Sequence, residues 1–266
     1  RRERMRLTAG GFADFYLDET AQRILLPLSG KLFIYERAKN SSRELKTPAG
    51  TLIDPKWSPD GRSISYVRDF DLYVYDLATD KETAITKGGT EKKTNGLAEF
   101  VAQEEMARFT GYWWSPDSKM LAFEEVDHEG VEVWHVADPT KPEQAPQAQY
   151  YPRPGKKNVT VRLGIVPALG GGKPVWVDWE RQVYEYLVAV RWDKHGPLTI
   201  QLQDRKQQLI TLFRVEPTKG TLSKLLDERD PNFTNIRQDM PRWLPNGRSF
   251  VWLSEYGKGP GLELRR

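Results

Sequence analysis

Three stretches decide the fold: WSPDGRSISYV at 57–67, WSPDSKMLAFE at 114–124 and WLPNGRSFVWL at 243–253. Each runs aromatic residue, tight turn, alternating strand. The turn chemistry is specific. Proline at the second turn position presets φ at about −65°, Asp or Asn follows, and Gly supplies a positive φ. Ser118 stands in for that glycine in the middle copy. Two weaker copies fit the same frame, YLDETAQRILLPL from Tyr16 and VRWDKHGPLTIQL from Val190.

A second strand with a turn-rich tail follows each copy: KLFIYERAKNSSREL, DLYVYDLATDKETAIT, VEVWHVADPTKPE and LITLFRVEPTKGTLSKLL. In the second of these, Tyr73 and Tyr75 alternate with Leu72, Val74 and Asp76, the period of a half-buried strand. Trp57, Trp114, Trp192 and Trp243 are separated by 57, 78 and 51 residues. Multi-strand repeats of about 40–50 residues indicate a β-propeller, and longer intervals indicate insertions that project from one face. A β-sandwich would also supply hairpins, but here the motif returns in the same order each time. The expected fold is therefore all-β, a propeller of four-stranded antiparallel blades, with about five units in the 266 residues.

One insertion covers 88–111. Gly88, Gly89, Asn95 and Gly96 break the preceding strand, and a helix is expected over 97–108 with Gly96 as N-cap and Gly111 at the exit. Leu97, Phe100 and Val101 form an apolar stripe whose next members are Glu104 and Glu105. A second stripe holds Ala98, Ala102, Met106 and Phe109. Two carboxylates on an apolar stripe need a cation, because unpaired buried charge is costly. A primary ammonium, with three donors and one charge, suits two such acceptors. The competing reading is an ordinary helix-surface pair, Glu104 with Arg108 at i, i+4, with Glu105 in water.

Composition narrows the function classes. Lys and Arg number 40 against 37 Asp and Glu, for a net charge of +3. The basic residues are dispersed apart from Arg1, Arg2, Arg4 and Arg6, which argues against a nucleic-acid partner. There is no cysteine, so disulfides, thiolate metal sites and cysteine nucleophiles are excluded. No apolar run has the length of a membrane span. Asp127-His128-Glu129 reads as a charged hairpin tip rather than a metal site, so neither metal nor cofactor is expected. The opening RRERMRL reads as the middle of a charged helix, which points to a trimmed fragment.

The stretch AEFVAQEEMARFTGYWWSPDSKMLAFEEVD resembles the N-terminal β-propeller domain of the dipeptidyl peptidase IV family, in the prolyl oligopeptidase clan of serine peptidases. Tyr150-Tyr151-Pro152-Arg153-Pro154-Gly155, Asn158-Val159-Thr160-Val161 and Val175-Trp176-Val177-Asp178 continue the resemblance in order, across essentially the whole chain. It implies that residues 1–266 are the propeller part of a longer, eight-bladed parent. Glu104 and Glu105 would hold the free amino terminus of a peptide, so that cleavage falls after the second residue, mainly Pro or Ala. An arginine of the charged N-terminal segment, Arg2 or Arg4, would hold the substrate's backbone carbonyl. The implied partners are the peptide amino terminus, a C-terminal α/β-hydrolase domain of the same parent, and a second copy in a homodimer. For the parent's compartment the expectation leans to periplasmic or secreted, with cytoplasmic the alternative.

No catalytic residue is expected within this chain. The family's nucleophile lies in Gly-x-Ser-x-Gly, whereas Ser63 is followed two residues on by Ser65 and Ser249 by Val251. His128, His135 and His195 have no serine partner suggested by a motif. The fragment alone is thus expected to be inactive. The alternatives are a stand-alone propeller for protein–protein interaction and a non-catalytic relative.

Overall fold

The computed structural model describes residues 14–48 and 50–254 and the strand 261–265. The elements are antiparallel strands with one short α-helix and a 3-10 turn at Arg37–Lys39. In every described sheet but one, strands pair with their neighbours in chain order, the meander that forms the blade unit of a propeller.

Two compact units are present. The first holds residues up to Thr90 together with Trp114–Leu121 and Val166–Lys173. It contains two complete four-stranded sheets. One is β1 (Tyr16–Leu17), β2 (Arg23–Leu28), β3 (Lys31–Glu36) and β4 (Ser41–Glu44); the other is β5 (Ile53–Trp57), β6 (Ser63–Arg68), β7 (Asp71–Asp76) and β8 (Lys81–Ala84). Their shared core is Leu25, Leu32, Ile34, Leu45, Ile64, Tyr66 and Tyr75, with Tyr16, Leu52, Trp57, Tyr73 and Leu77 packed against it. Each fully buried side chain of this size contributes about 1.5–3 kcal/mol.

The second unit is Glu91–Trp113, Ala122–Ile165 and the residues from Pro174 on. It includes the sheet β16 (Tyr186–Arg191), β17 (Thr199–Gln203), β18 (Leu209–Val215) and β19 (Leu222–Arg229). After it comes the three-stranded β20 (Arg242–Trp243), β21 (Phe250–Ser254) and β22 (Gly261–Arg265). The remaining blade is β10 (Tyr112–Trp114), β11 (Met120–Asp127), β14 (Thr160–Pro167) and β15 (Val175–Trp176), with β9 (Lys93–Asn95) added on β11; the division between units falls within its strands. A separate hairpin, β12 (Val133–Val136) with β13 (Gln147–Tyr150), leaves this blade between β11 and β14.

The three tryptophans occupy equivalent places, each ending the first strand of its sheet. Each also leans on the sheet before. Trp57 Nε1 donates to the Tyr16 carbonyl at 3.0 Å and Trp114 Nε1 to Ser65 Oγ at 2.7 Å. Trp243 packs on Gly196, where a Cβ would come within 2.2 Å of its Cδ1. The turns repeat atom for atom. Ser58 Oγ donates to Asp60 at 2.6 Å and accepts from Ser63 N at 2.9 Å; Ser115 Oγ donates to Asp117 at 2.7 Å and accepts from Met120 N at 2.8 Å. Gly61, Ser118 and Gly247 all sit at positive φ, 67°, 61° and 64°. The all-β, four-stranded antiparallel expectation is met. One strand assignment is corrected. Val133–Val136 is not the third strand of its blade; Thr160–Pro167 takes that place, because Val133, Trp134 and Val136 are exposed while Val161, Leu163 and Ile165 are buried.

Candidate functional site

The insertion is tied down at its root. β9 pairs with the end of β11, Asn95 opposite Glu125 and Lys93 opposite Asp127. Gly96 N donates to the Glu124 carbonyl at 2.7 Å, Glu124 N donates to the Gly111 carbonyl at 2.8 Å, and Leu97 bridges Thr110. Gly111 is required here. A Cβ on it would lie 2.5 Å from the backbone carbons of Gly96 and Leu97.

These ties shorten the helix. α1 spans Phe100–Glu104, not 97–108, because Gly96 and Leu97 are held in strand-like pairing. Gly96 is not the cap. Glu99 is, its carboxylate accepting from Val101 N at 2.6 Å and Ala102 N at 2.7 Å. Ala107, at φ 52°, ends the helical course.

The second stripe, not the first, is buried. Ala98, Ala102 and Met106 are covered, and Met106 joins Val188 and Ala189 in a small core with Val101, Tyr186 and Ile236 against it. Phe109, expected on that stripe, is 70% exposed. Glu104 and Glu105 are both exposed, so the expectation that they sit on the buried face is overturned. Small alanines let the helix approach its neighbours along that side, and the carboxylates turn outward.

The Glu104–Arg108 surface pair is not formed either. Arg108 is 4% exposed and turns inward, making a buried ion pair with Glu124. Its guanidinium also donates to the Thr110 carbonyl at 2.9 Å and the Leu187 carbonyl at 3.1 Å. Glu99 lies near this pair. Burial, and then the negative charge of Glu124, push its carboxyl up to about 7, against the opposing pull of its backbone N–H donors and Arg108.

An aromatic series adjoins the helix. Phe100 contacts Tyr151 at 4.9 Å between centroids, Tyr151 contacts Trp134 of β12 at 5.7 Å, and Arg153 lies 5.6 Å over Trp134 while bonding Glu132 in bidentate fashion. His128 is not at a hairpin tip but in the turn that leads from β11 to the β12–β13 hairpin, its Nδ1 3.0 Å from the Lys92 carbonyl. No group of three or more metal-ligating side chains occurs among the described residues. Arg2 and Arg4 lie outside the described residues.

Sequence reasoning missed Glu99 as the cap and Glu124 and Gln238 as parts of this site, and it offered Arg108 to Glu104 rather than to Glu124. Glu124 had a signal, a carboxylate inside the apolar run MLAFEEVD that demands a buried cation. Gln238 had none, since the group it holds, the Met106 carbonyl, is 132 residues away.

Blades plus an inserted helical turn bearing two outward carboxylates define a β-propeller region with an acidic insertion. The chain belongs to the family described as the dipeptidyl peptidase IV (DPP IV) N-terminal region, whose model matches residues 17–260. It is 25% identical over 207 residues to dipeptidyl aminopeptidase B of Saccharomyces cerevisiae, covering 75% of this chain and 25% of that protein. It is 29% identical to mouse dipeptidyl peptidase 8 over 195 residues, 62% and 22% of the two chains. With a probable dipeptidyl peptidase 4 of Emericella nidulans it shares 26% over 261 residues, 94% and 30%. The crystal structure of Porphyromonas gingivalis dipeptidyl peptidase 4 superposes with a TM-score of 0.79 at 21% identity, over 97% of this chain and 38% of that one. That likeness fixes the fold as propeller blades. The chain spans between 22% and 30% of the length of these curated relatives. No helix among the described residues is long and apolar enough to cross a membrane.

Proposed function

We propose that this region is the substrate-selecting propeller of a serine dipeptidyl aminopeptidase that releases N-terminal dipeptides, mainly after Pro or Ala. Glu104 and Glu105 receive the substrate's free ammonium, and Arg2 or Arg4 holds its first carbonyl. The nucleophile belongs to an α/β-hydrolase domain of the same parent, so this region alone has no turnover.

The observation that carries the reading is the pair of adjacent, exposed carboxylates on a turn fixed at both ends, in a chain of this family. Exposure helps here. Both groups are open to a ligand, and a primary ammonium satisfies them with charge-assisted hydrogen bonds. Holding that cation at a set distance from a nucleophile makes cleavage fall after a fixed number of residues. The exposed Val133, Trp134 and Val136 of the β12–β13 hairpin supply apolar surface for a second subunit, which sedimentation of Trp134→Glu tests.

The main test uses the full-length protein with Ala-Pro anilide, amino terminus free or acetylated. Glu104→Ala and Glu105→Ala should each lower kcat/KM on the free-amine substrate by about 100-fold, the scale of one lost charged contact. Acetylation should cost the wild type a similar factor and cost the variants almost nothing more. If acetylation costs the variants as much as it costs the wild type, these carboxylates are not the amine clamp.

A further inference from the structure

The turn that carries Glu104 and Glu105 is suspended from a flaw in a neighbouring strand. β16 pairs with β17 in regular register except between Leu187 and Ala189, where Val188 is an extra, unpaired residue. Such a β-bulge breaks the alternation of carbonyl direction locally and re-aims the groups beside it. Two consecutive carbonyls there are taken up by side chains. Arg108 Nη2 donates to the Leu187 carbonyl at 3.1 Å, and Gln238 Nε2 donates to the Val188 carbonyl at 2.9 Å.

Both side chains also grip the carboxylate-bearing segment. The same Gln238 Nε2 donates to the Met106 carbonyl at 2.9 Å, one residue after Glu105. Arg108 is itself two residues further along, bonds the Thr110 carbonyl at 2.9 Å and is neutralised by fully buried Glu124. Met106 fills the space between, packed on Val188 and Ala189.

We propose that Arg108, with its counter-ion Glu124, and Gln238 are positioning residues: a bracket across the β16 bulge that sets where Glu104 and Glu105 meet the substrate ammonium. The inference rests on the amine-clamp reading above. Three physical points support it. A buried ion pair is a poor source of net stability compared with apolar side chains of the same volume, so its retention calls for a specific structural demand. A five-residue helix cannot hold its own orientation, because helices this short are marginal without outside contacts. The bracket's donors reach main-chain carbonyls on both sides of the contact, which fixes distance and rotation together in a way that apolar packing of Met106 does not.

The test separates positioning from folding, and from the clamp itself. In the full-length protein, Gln238→Met keeps the volume and deletes both hydrogen bonds. The double variant Arg108→Met with Glu124→Leu replaces the ion pair by apolar groups. Each is assayed with free and acetylated Ala-Pro anilide, beside Glu104→Gln as the reference, and thermal midpoints are recorded. The expected result is a fall in the free-amine preference of about 10- to 100-fold, the scale of a displacement of about 1 Å at a positioned contact. The loss should appear mainly in kcat, with midpoints close to wild type. Arg108→Lys, alone among the Arg108 variants, should recover part of the preference.

If Glu104→Gln abolishes the preference while well-folded Gln238→Met and the double variant keep it, the bracket is wrong and the clamp stands. If Glu104→Gln leaves the preference intact, the clamp reading fails, and the bracket as a device for that clamp fails with it. Should the double variant prove poorly folded, Gln238→Met decides alone.

Discussion

At the scale of single residues, the Glu99 cap ties the stability of the insertion to pH. Its carboxyl titrates at about 7 in the fold because burial and Glu124 oppose its ionisation. Arg108 pulls it the other way, and the charge of Glu99 adds to the burial that raises the Tyr186 hydroxyl. A raised carboxyl binds its proton more tightly folded than unfolded, so its contribution to stability is greatest below the unfolded value of 4.5 and is lost as pH rises to about 7. Glu99→Gln removes that titration while leaving one carbonyl oxygen to cap Val101 or Ala102. The difference in unfolding free energy between wild type and Glu99→Gln, followed by urea titration, should move in the variant's favour by about 3 kcal/mol between pH 4 and pH 8. A pH-independent difference would show that the Glu99 carboxyl binds its proton equally well folded and unfolded. Glu104 and Glu105, being exposed, should by contrast change stability by no more than about 0.5 kcal/mol when replaced by Gln.

At the scale of elements, what was legible was whatever local chemistry dictates. The Ser-Pro-Asp-Gly turns, their positive-φ position and the tryptophans ahead of them are written in a few adjacent residues, and they are where the sequence places them. The helix was overdrawn because periodicity cannot see that Gly96 and Leu97 are claimed by Glu124 and Thr110. The orientation of Glu104 and Glu105 was misread for the same reason. With Leu97 outside the helix, the stripe of Ala98, Ala102 and Met106 becomes the buried one. VEVWHV alternates like a blade strand, yet its partner QAQY has little to bury, so the pair stands apart as a hairpin. The close crossing at Gly111 makes its own prediction. Gly111→Ala forces a methyl against backbone that has no free rotor, and should cost about 3 kcal/mol or more in a chemical denaturation experiment. A cost below about 1 kcal/mol would mean that the insertion's root can shift to make room.

At the scale of the molecule, the chain is propeller blades of the DPP IV N-terminal region, and the function proposed above assigns it recognition rather than bond cleavage. The isolated 266-residue chain should therefore give no turnover of Gly-Pro or Ala-Pro chromogenic dipeptides above buffer. Turnover that survives purification and resists a serine-directed inhibitor would place a catalytic group within this region. The way the insertion is closed has a wider consequence. Glu124 takes a hydrogen bond from Gly96 and gives one to Gly111, so a single strand residue clasps both ends of the excursion. A loop whose ends are already joined loses little when its middle is exchanged, since closure entropy grows only slowly with length. The 97–110 segment is then a cassette in length only: Glu124 closes its ends, whereas its middle is oriented through Leu187 and Gln238, so a transplant onto another propeller would have to bring those partners with it.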